Sequence, residues 1–264
     1  NQMQKNGIVA VGDVSNTADT FAVKLKSPIY YHTFIELFAI DAQKAETVFQ
    51  KGLELKKECQ TPSSIVPHAT YSVSQPLFKK IKEHNSGEII CLHNQETSTE
   101  DALFKNRNGA LYEQLKAFGE LNVSGQSALQ STLGQMPQAP TLLVHNTYTS
   151  REDVKWAEAK NEKLFWCTCP QANLYIEGRL PNYKNFEGAK MTIGTDSLAS
   201  NHTLSVWDEL HIIHKHSDID LNTLLAWACK NGAEFLQQTH LGTFAKGKKP
   251  GVNCVTEKGV QKLH

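Results

Sequence analysis

Histidine and acidic residues stand where short apolar segments of this chain give way to polar loops. In "IICLHNQET", His93 ends an apolar run and Glu96 follows three residues later. "TLLVH" ends on His145, and "TIGTD" ends on Asp196 before the polar loop "SLASNHT". "IVPHATYSVS" places His68 in the same way. An imidazole nitrogen close to a carboxylate suits a metal ion with a neighbouring general acid or base.

Each of these residues, taken singly, also has a structural explanation. His93 can be a solvated loop histidine, with Glu96 complementing the dipole of the helix that follows. His145 can bond to backbone at the end of its strand, and Asp196 can cap its own strand. Because the four positions occur in order along one chain, together they indicate a functional site more strongly than any one of them.

The composition argues against several classes of partner. Lysine plus arginine equals aspartate plus glutamate at 27 each, so no long-range field would recruit nucleic acid or an anionic membrane, and a small neutral substrate is expected. No segment approaches the roughly 18 apolar residues of a membrane helix, and no signal peptide is recognised. The six cysteines, without Cys-x-x-Cys pairs, predict small reduced core residues in a cytoplasmic protein.

Short apolar segments alternate with amphipathic ones along the chain. The predicted strands are Ile8 to Val14, Thr33 to Ile40, Ser63 to Val66, Glu88 to His93, Thr141 to His145, Lys163 to Thr168 and Ala189 to Asp196. The predicted helices are Asp41 to Glu58, Gln75 to His84, Ser98 to Phe104, Leu111 to Phe118, Ser127 to Met136, Ser150 to Lys160 and one within "LSVWDELHIIHKHSDID". Strands that are apolar on both faces and separated by helices predict parallel β/α units.

Two folds are compatible with this alternation, a (β/α)8 barrel of the TIM type and an open Rossmann-type sheet. The first predicted strand leads into "GDVSNT", which lacks the Gly-x-Gly-x-x-Gly turn that holds a pyrophosphate. In a barrel the functional side chains gather at the carboxyl ends of the strands. Those ends carry Asp13, His68, His93, His145, Cys169 and Asp196. We therefore predict the barrel, with seven of its eight strands recognised.

Five motifs in order then show a family resemblance. "HATYSVS", "LHNQET", "LLVHNTY", "CPQANLYIEGRLP" and "TIGTDSLASNHTLSVWDEL" resemble the amidohydrolase superfamily, in its branch of chlorohydrolases and of guanine and adenosine-type nucleoside deaminases. The resemblance runs from about Gly7 to about Gly251. It implies a distorted (β/α)8 barrel that holds one divalent metal ion, zinc first and iron or manganese as alternatives.

The resemblance also implies roles for individual residues. His93, His145 and Asp196 are expected to bind the metal ion. Glu96, His145 and Asp196 are expected to be catalytic, with Asp196 taking a proton from the attacking water and Glu96 protonating the ring nitrogen. The expected substrate-binding residues are His68, Asn173 and Arg179.

One part of the family pattern is missing from this sequence. The family has a His-x-His pair on its first strand, and no such pair lies upstream of Gly7. The pair His214-Lys215-His216 belongs to a predicted helix and is interpreted as helix surface. We therefore expect a barrel over residues 1–240 that lacks its first strand, followed by a segment over residues 241–264 that leads into a small β-sandwich. We also expect a longer natural protein and weak or absent metal in this chain alone.

Two classes of function follow. The first is a metal-dependent aminohydrolase that deaminates a purine-like or other heterocyclic substrate, with other C–N or C–Cl bond hydrolysis on the same barrel as an alternative. The second is a catalytically defective barrel that binds a ligand or a partner. Inactivity of this fragment on its own and formation of a homodimer are both left open.

Overall fold

Seven parallel strands and the helices between them form the body of the protein. The computed structural model describes residues 2–121, 123–256 and 259–263. The strands are β1 (Ala10–Ser15), β2 (Tyr30–Leu37), β3 (Ser63–Pro67), β4 (Ile90–Asn94), β5 (Thr141–His145), β6 (Leu164–Thr168) and β7 (Met191–Ile193). Each of the seven predicted strands overlaps one of them. The strand predicted over Ala189 to Asp196 is the most shortened, because only three of its residues pair with β6.

Helices follow the strands in the order that the alternating pattern predicts. They are α1 (Gln2–Lys5), α2 (Phe21–Leu25), α3 (Ala45–Glu58), α4 (Gln75–His84), α5 (Ser98–Asn106), α6 (Ala110–Leu115), α7 (Ala128–Leu133), α8 (Arg151–Lys160), α9 (Pro170–Glu177), α10 (Val206–His216), α11 (Leu221–Leu225) and α12 (Gly232–Phe235). Short 3-10 turns cover Ala42–Lys44 and Tyr183–Phe186, and a π-helix covers Ala226–Asn231. None of the described helices has the length and apolar run that crossing a bilayer requires.

The strands are arranged in two parallel sheets that meet at one junction. The first sheet has the order β1-β2-β3 and the second has the order β4-β5-β6-β7. At the junction Ala69 forms a parallel bridge with His93, and the His93 N–H donates to the His68 carbonyl at 2.9 Å. The seven strands therefore follow one another in chain order, and their carboxyl ends face the same rim.

Aromatic side chains from both sheets share one core. The Phe235 ring of α12 lies 6.2 Å from the Phe34 ring of β2 and 5.4 Å from the Phe165 ring of β6, measured between centroids. Trp166, which alternates with Phe165 along β6, is fully buried on the other face of the strand. The carboxyl-terminal hairpin, β8 (Asn253–Thr256) and β9 (Gly259–Lys262), is antiparallel. The predicted segment 241–264 also contains residues 257–258 and 264, which lie outside the described residues.

Two expectations about single residues are changed by the structure. Asp13, expected at a strand end, lies two residues before the end of β1 and pairs with the buried Lys24 of α2, which also donates to Ser15 Oγ at 2.7 Å. Its carboxylate therefore ties α2 to β1. The prediction that the cysteines are core residues holds for Cys91, Cys167 and Cys169 and is wrong for Cys229, which is exposed.

The shared aromatic core gives a stability prediction. Phe34→Ala should lower the free energy of unfolding by about 3–5 kcal/mol, because it removes a ring that is 1 % exposed and leaves a cavity between the sheets. Urea unfolding followed by circular dichroism measures the change. Phe118→Ala is the matched control, since that ring is 64 % exposed and its loss should change the free energy by less than about 0.5 kcal/mol. Equal losses in the two variants would contradict this account of the core.

Candidate metal and catalytic site

Three of the predicted histidines lie next to one another at the rim. The His68 and His93 rings are 5.1 Å apart, and the His93 and His145 rings are 5.5 Å apart and stacked, measured between centroids. They come from the ends of β3, β4 and β5, which are far apart in sequence and neighbours in the sheet order. The parallel arrangement therefore brings the predicted imidazoles together.

Glu36 lies beside His68 and His93, although it belongs to none of the motifs recognised in the sequence. Glu36, His68 and His93 each offer one ligand atom, and these atoms lie within 4.8 Å of one another. Asn16 Nδ2 donates to Glu36 Oε2 at 2.9 Å. Glu36 Oε1 is buried and has no hydrogen-bond partner among the described residues, and it lies 3.4 Å from His93 Nδ1. The only sequence signal for Glu36 is a single carboxylate inside the apolar strand "TFIELFAI".

This arrangement of donors fits a divalent cation. A buried carboxylate oxygen without a donor is costly unless a positive charge lies beside it. His93 Nδ1 donates to the His68 carbonyl at 2.7 Å, so in the neutral ring the lone pair is on Nε2. A carboxylate and imidazole nitrogens without thiolates suit zinc, iron or manganese.

His145 is held from both of its ring nitrogens. Its Nδ1 lies 2.9 Å from Asn173 Oδ1, which accepts the Nδ1 proton, and its Nε2 lies 3.4 Å from Glu96 Oε1. The residue is 2 % exposed, and burial lowers the pKa of His145, although the Asp196 charge opposes this. The Asn173 contact therefore orients the His145 ring so that Nε2 faces Glu96.

The backbone at His145 is left-handed, and Asn146 maintains that conformation. His145 has φ 72° and Asn146 has φ 57°. The Asn146 side chain donates to the Leu143 carbonyl at 2.7 Å and to the Cys167 carbonyl at 3.0 Å, and it accepts from Asn94 Nδ2 at 3.0 Å. Asparagine tolerates this region better than other residues with a β-carbon. These bonds turn the end of β5 so that His145 faces His93.

Glu96 is positioned by the carboxylate of Glu100, a residue in the first turn of α5. The Glu100 carboxylate accepts from the backbone N–H groups of Gln95 at 3.0 Å, Glu96 at 2.7 Å and Thr97 at 3.3 Å. Thr97 and Glu100 thus form a capping box at the start of α5, and the Glu100 carboxylate also accepts from two further amides. Burial raises the pKa of Glu96. A carboxyl group that keeps its proton more readily is suited to act as a general acid.

Asp196 lies in the same electrostatic environment. Its charge adds to the rise in the pKa of Glu96 and opposes the lowering of the pKa of His145 that burial causes. Asp196 has φ 55°, and Ser200 Oγ donates to its carboxylate. Asn201 Nδ2 donates to the Thr195 carbonyl at 2.5 Å and to Glu209 Oε1 at 2.6 Å. The loop that carries Asp196 is therefore fixed to α10.

Of the other residues singled out in the sequence, one contacts His145 and three are exposed. Asn173 contacts His145 through both its side-chain oxygen and its side-chain nitrogen, so its position supports that imidazole. Arg179 is exposed, and its guanidinium lies 4.6 Å from the centre of the Tyr148 ring. His214 and His216 are exposed at the end of α10, which confirms their interpretation as helix surface.

The sequence of the chain matches a known protein family. The chain belongs to the amidohydrolase family, whose sequence model matches residues 1–258. The chain is 25% identical over 248 residues to an adenosine deaminase from Helicobacter pylori, a match that covers 88% of this chain and 60% of that protein.

Two solved structures share the fold. The aminofutalosine deaminase of Helicobacter pylori in complex with methylthio-coformycin has a TM-score of 0.84 at 23% identity, covering 95% of this chain and 64% of that one. An adenosine deaminase from Xanthomonas campestris with bound zinc has a TM-score of 0.74 at 20% identity, covering 96% and 60%. The predicted amidohydrolase-type barrel is thereby confirmed, and the chain spans about three fifths of the length of these proteins.

Asn146 provides a test of the strand-end geometry. Asn146→Ala should lower the free energy of unfolding by about 3–5 kcal/mol, because it leaves buried backbone groups unpaired and places alanine in a left-handed conformation. Asn182→Ala is the control: Asn182 is exposed, has φ −76°, and should cost no more than about 1 kcal/mol. A loss as small as that of the control would show that Asn146 does not hold the turn.

Glu209 gives a prediction of pH dependence. Burial raises the pKa of Glu209 to about 7 from its ordinary value of 4.5. Because the folded state keeps this proton where the unfolded chain releases it, the contribution of Glu209 to stability falls as pH rises from about 4.5 to about 7. The difference in unfolding free energy between the wild type and Glu209→Gln should change by up to about 1.4 kcal/mol per pH unit in that window. A difference that stays constant across this pH window would contradict the raised pKa of Glu209.

Proposed function

We propose that the whole protein is a metal-dependent aminohydrolase that deaminates a purine-like or other heterocyclic substrate. The observation that carries the proposal is the stacking of His93 on His145, whose Nε2 lies 3.4 Å from Glu96, beside the group of possible metal ligands formed by Glu36, His68 and His93. The deaminase names of the relatives support it.

The proposed reaction replaces an exocyclic amine by oxygen. A divalent cation, when bound, lowers the pKa of a coordinated water from about 15.7 to about 7. Asp196 accepts the proton of the attacking water, and Glu96 donates a proton to the ring nitrogen beside the carbon under attack. Asp196 then returns its proton to the amine, the C–N bond breaks and ammonia leaves, while the hydroxyl proton of the intermediate restores the Glu96 carboxyl group as the ring C=O forms. His145, fixed by Asn173, orients the attacking oxygen.

Zinc is the proposed metal ion, with iron or manganese as alternatives. The ligands that the resemblance implies are His93, His145 and Asp196, and the geometry adds Glu36 and His68 as further donors. His93 belongs to both sets. The zinc in the Xanthomonas campestris enzyme supports the choice of metal.

The metal proposal is tested on the whole protein, which is first supplied with zinc and then dialysed to remove the unbound ions. His93→Ala should reduce the zinc content, measured by mass spectrometry, from about one ion per chain to well below half. The control His216→Ala, at an exposed position of α10, should retain the wild-type content. If His93→Ala keeps a full equivalent of zinc, the site lies elsewhere.

The acid role of Glu96 gives a kinetic prediction. Glu96→Gln should lower kcat for ammonia release by about 10²- to 10⁴-fold, because the amide cannot donate the required proton. The control Glu113→Gln changes an exposed residue of α6 and should leave kcat unchanged. Adenine-, guanine- and cytosine-containing compounds are the substrates to screen. No ammonia from any of them would overturn the proposed deamination and favour another C–N or C–Cl bond hydrolysis, or the binding module.

The proposed setting is the cytoplasm, with a small heterocyclic molecule as the partner. All six cysteines are free, which supports a reducing compartment. The substrate-binding roles of His68, Asn173 and Arg179 are part of the same proposal.

A further inference from the structure

Phe38 is an exposed aromatic residue at the rim of the candidate site. Its side chain is 57 % exposed, whereas its chain neighbours Leu37 and Ala39 are 4 % and 8 % exposed. The chain remains extended here, because Ala39 forms a parallel bridge with Val73 beyond the end of β2. A large apolar side chain between two buried ones is thus left open to solvent.

The direction of this side chain follows from strand geometry. Side chains alternate between the two faces of an extended chain, so Phe38 lies on the same face as Glu36, one pleat nearer to the rim. Its ring lies 6.0 Å from the His68 ring in an edge arrangement, measured between centroids. Phe38 therefore stands above the group formed by Glu36, His68 and His93.

The contacts of Phe38 leave room for a ligand at its face. His68 approaches the ring at an interplanar angle of 63°, and the side chain is still 57 % exposed with this contact in place. Tyr148 provides a contrast, because the Arg179 guanidinium lies over its ring and its hydroxyl donates to Glu177 at 2.7 Å. The Phe38 ring is available for stacking in a way that the Tyr148 ring is not.

We propose that Phe38 is a specificity-determining residue whose ring stacks on the planar heterocycle of the substrate above His68. This inference rests on the proposed function and names the property that the site selects, which is a flat aromatic ring. A phenyl ring has no hydrogen-bonding group, so it favours planar heterocyclic amines over saturated ones without choosing between ring substituents. Choice among ring substituents belongs to the polar residues deeper in the site.

The direct test uses 2-aminopurine riboside, whose fluorescence is quenched when its base stacks on an aromatic ring. Phe38→Ala in the whole protein should weaken binding of this probe by about 5- to 100-fold and remove the quenching, and Phe38→Tyr should restore both. Phe244→Ala is the matched control, because Phe244 is 82 % exposed, and it should bind as the wild type does. Wild-type quenching in Phe38→Ala, or absence of probe binding to the wild type, would overturn the proposal.

Kinetics separate stacking from a displaced His68. If Phe38 stacks on the substrate, Phe38→Ala raises KM for the deaminated heterocycle by about 5- to 100-fold, with kcat and zinc content close to wild type. A fall in kcat or zinc content with unchanged KM would show instead that Phe38 only supports His68, and the proposal would fail. Absence of ammonia release by the wild type would sink the proposed function, while probe quenching would still decide whether Phe38 stacks.

Discussion

The His68 carbonyl oxygen accepts two hydrogen bonds from one residue, and the site depends on this interaction. The backbone N–H of His93 donates to it at 2.9 Å and joins the two sheets, while His93 Nδ1 donates to it at 2.7 Å. The same atom therefore fixes the order of the strands and the orientation of the imidazole. Because Nδ1 is occupied, the nitrogen that His93 presents to the rim is Nε2, whichever metal ion the site receives.

Left-handed backbone at the strand ends is the second feature that shapes the site. Gln95, His145, Asn146 and Asp196 have φ between 42° and 72°. Such conformations cost roughly 1–2 kcal/mol each for residues with a β-carbon, and they persist where surrounding bonds over-determine them. The Asn146 amide supplies those bonds after β5, and the Ser200 and Asn201 side chains supply them after β7. Two of these four residues, His145 and Asp196, are proposed for the chemistry, and Gln95 directly precedes a third, Glu96.

The sequence predicts the parts of this arrangement that follow from chain order and periodicity. Apolar segments separated by helices predict seven parallel strands, and the residues that end those strands predict His68, His93 and His145 at one rim. Glu36 could not be found in this way, because one carboxylate in an apolar strand resembles a tolerated surface residue until its burial is known. Asp13 is expected among the functional residues at the rim, and it instead forms an ion pair with Lys24. The sequence could not show this, because Lys24 belongs to a short helix that the apolar pattern does not reveal. The division at residue 240 and the roles assigned to single residues stay predictions.

The carboxylate of Glu100 has a further consequence for variation in this loop. It gathers three successive amide protons, from positions 95 to 97, while its own backbone belongs to the first turn of α5. The spacing between the strand end and that turn is therefore set by the reach of one side chain. Inserting or deleting a single residue between them would break these bonds and carry the Glu96 carboxyl group away from the imidazole that it faces.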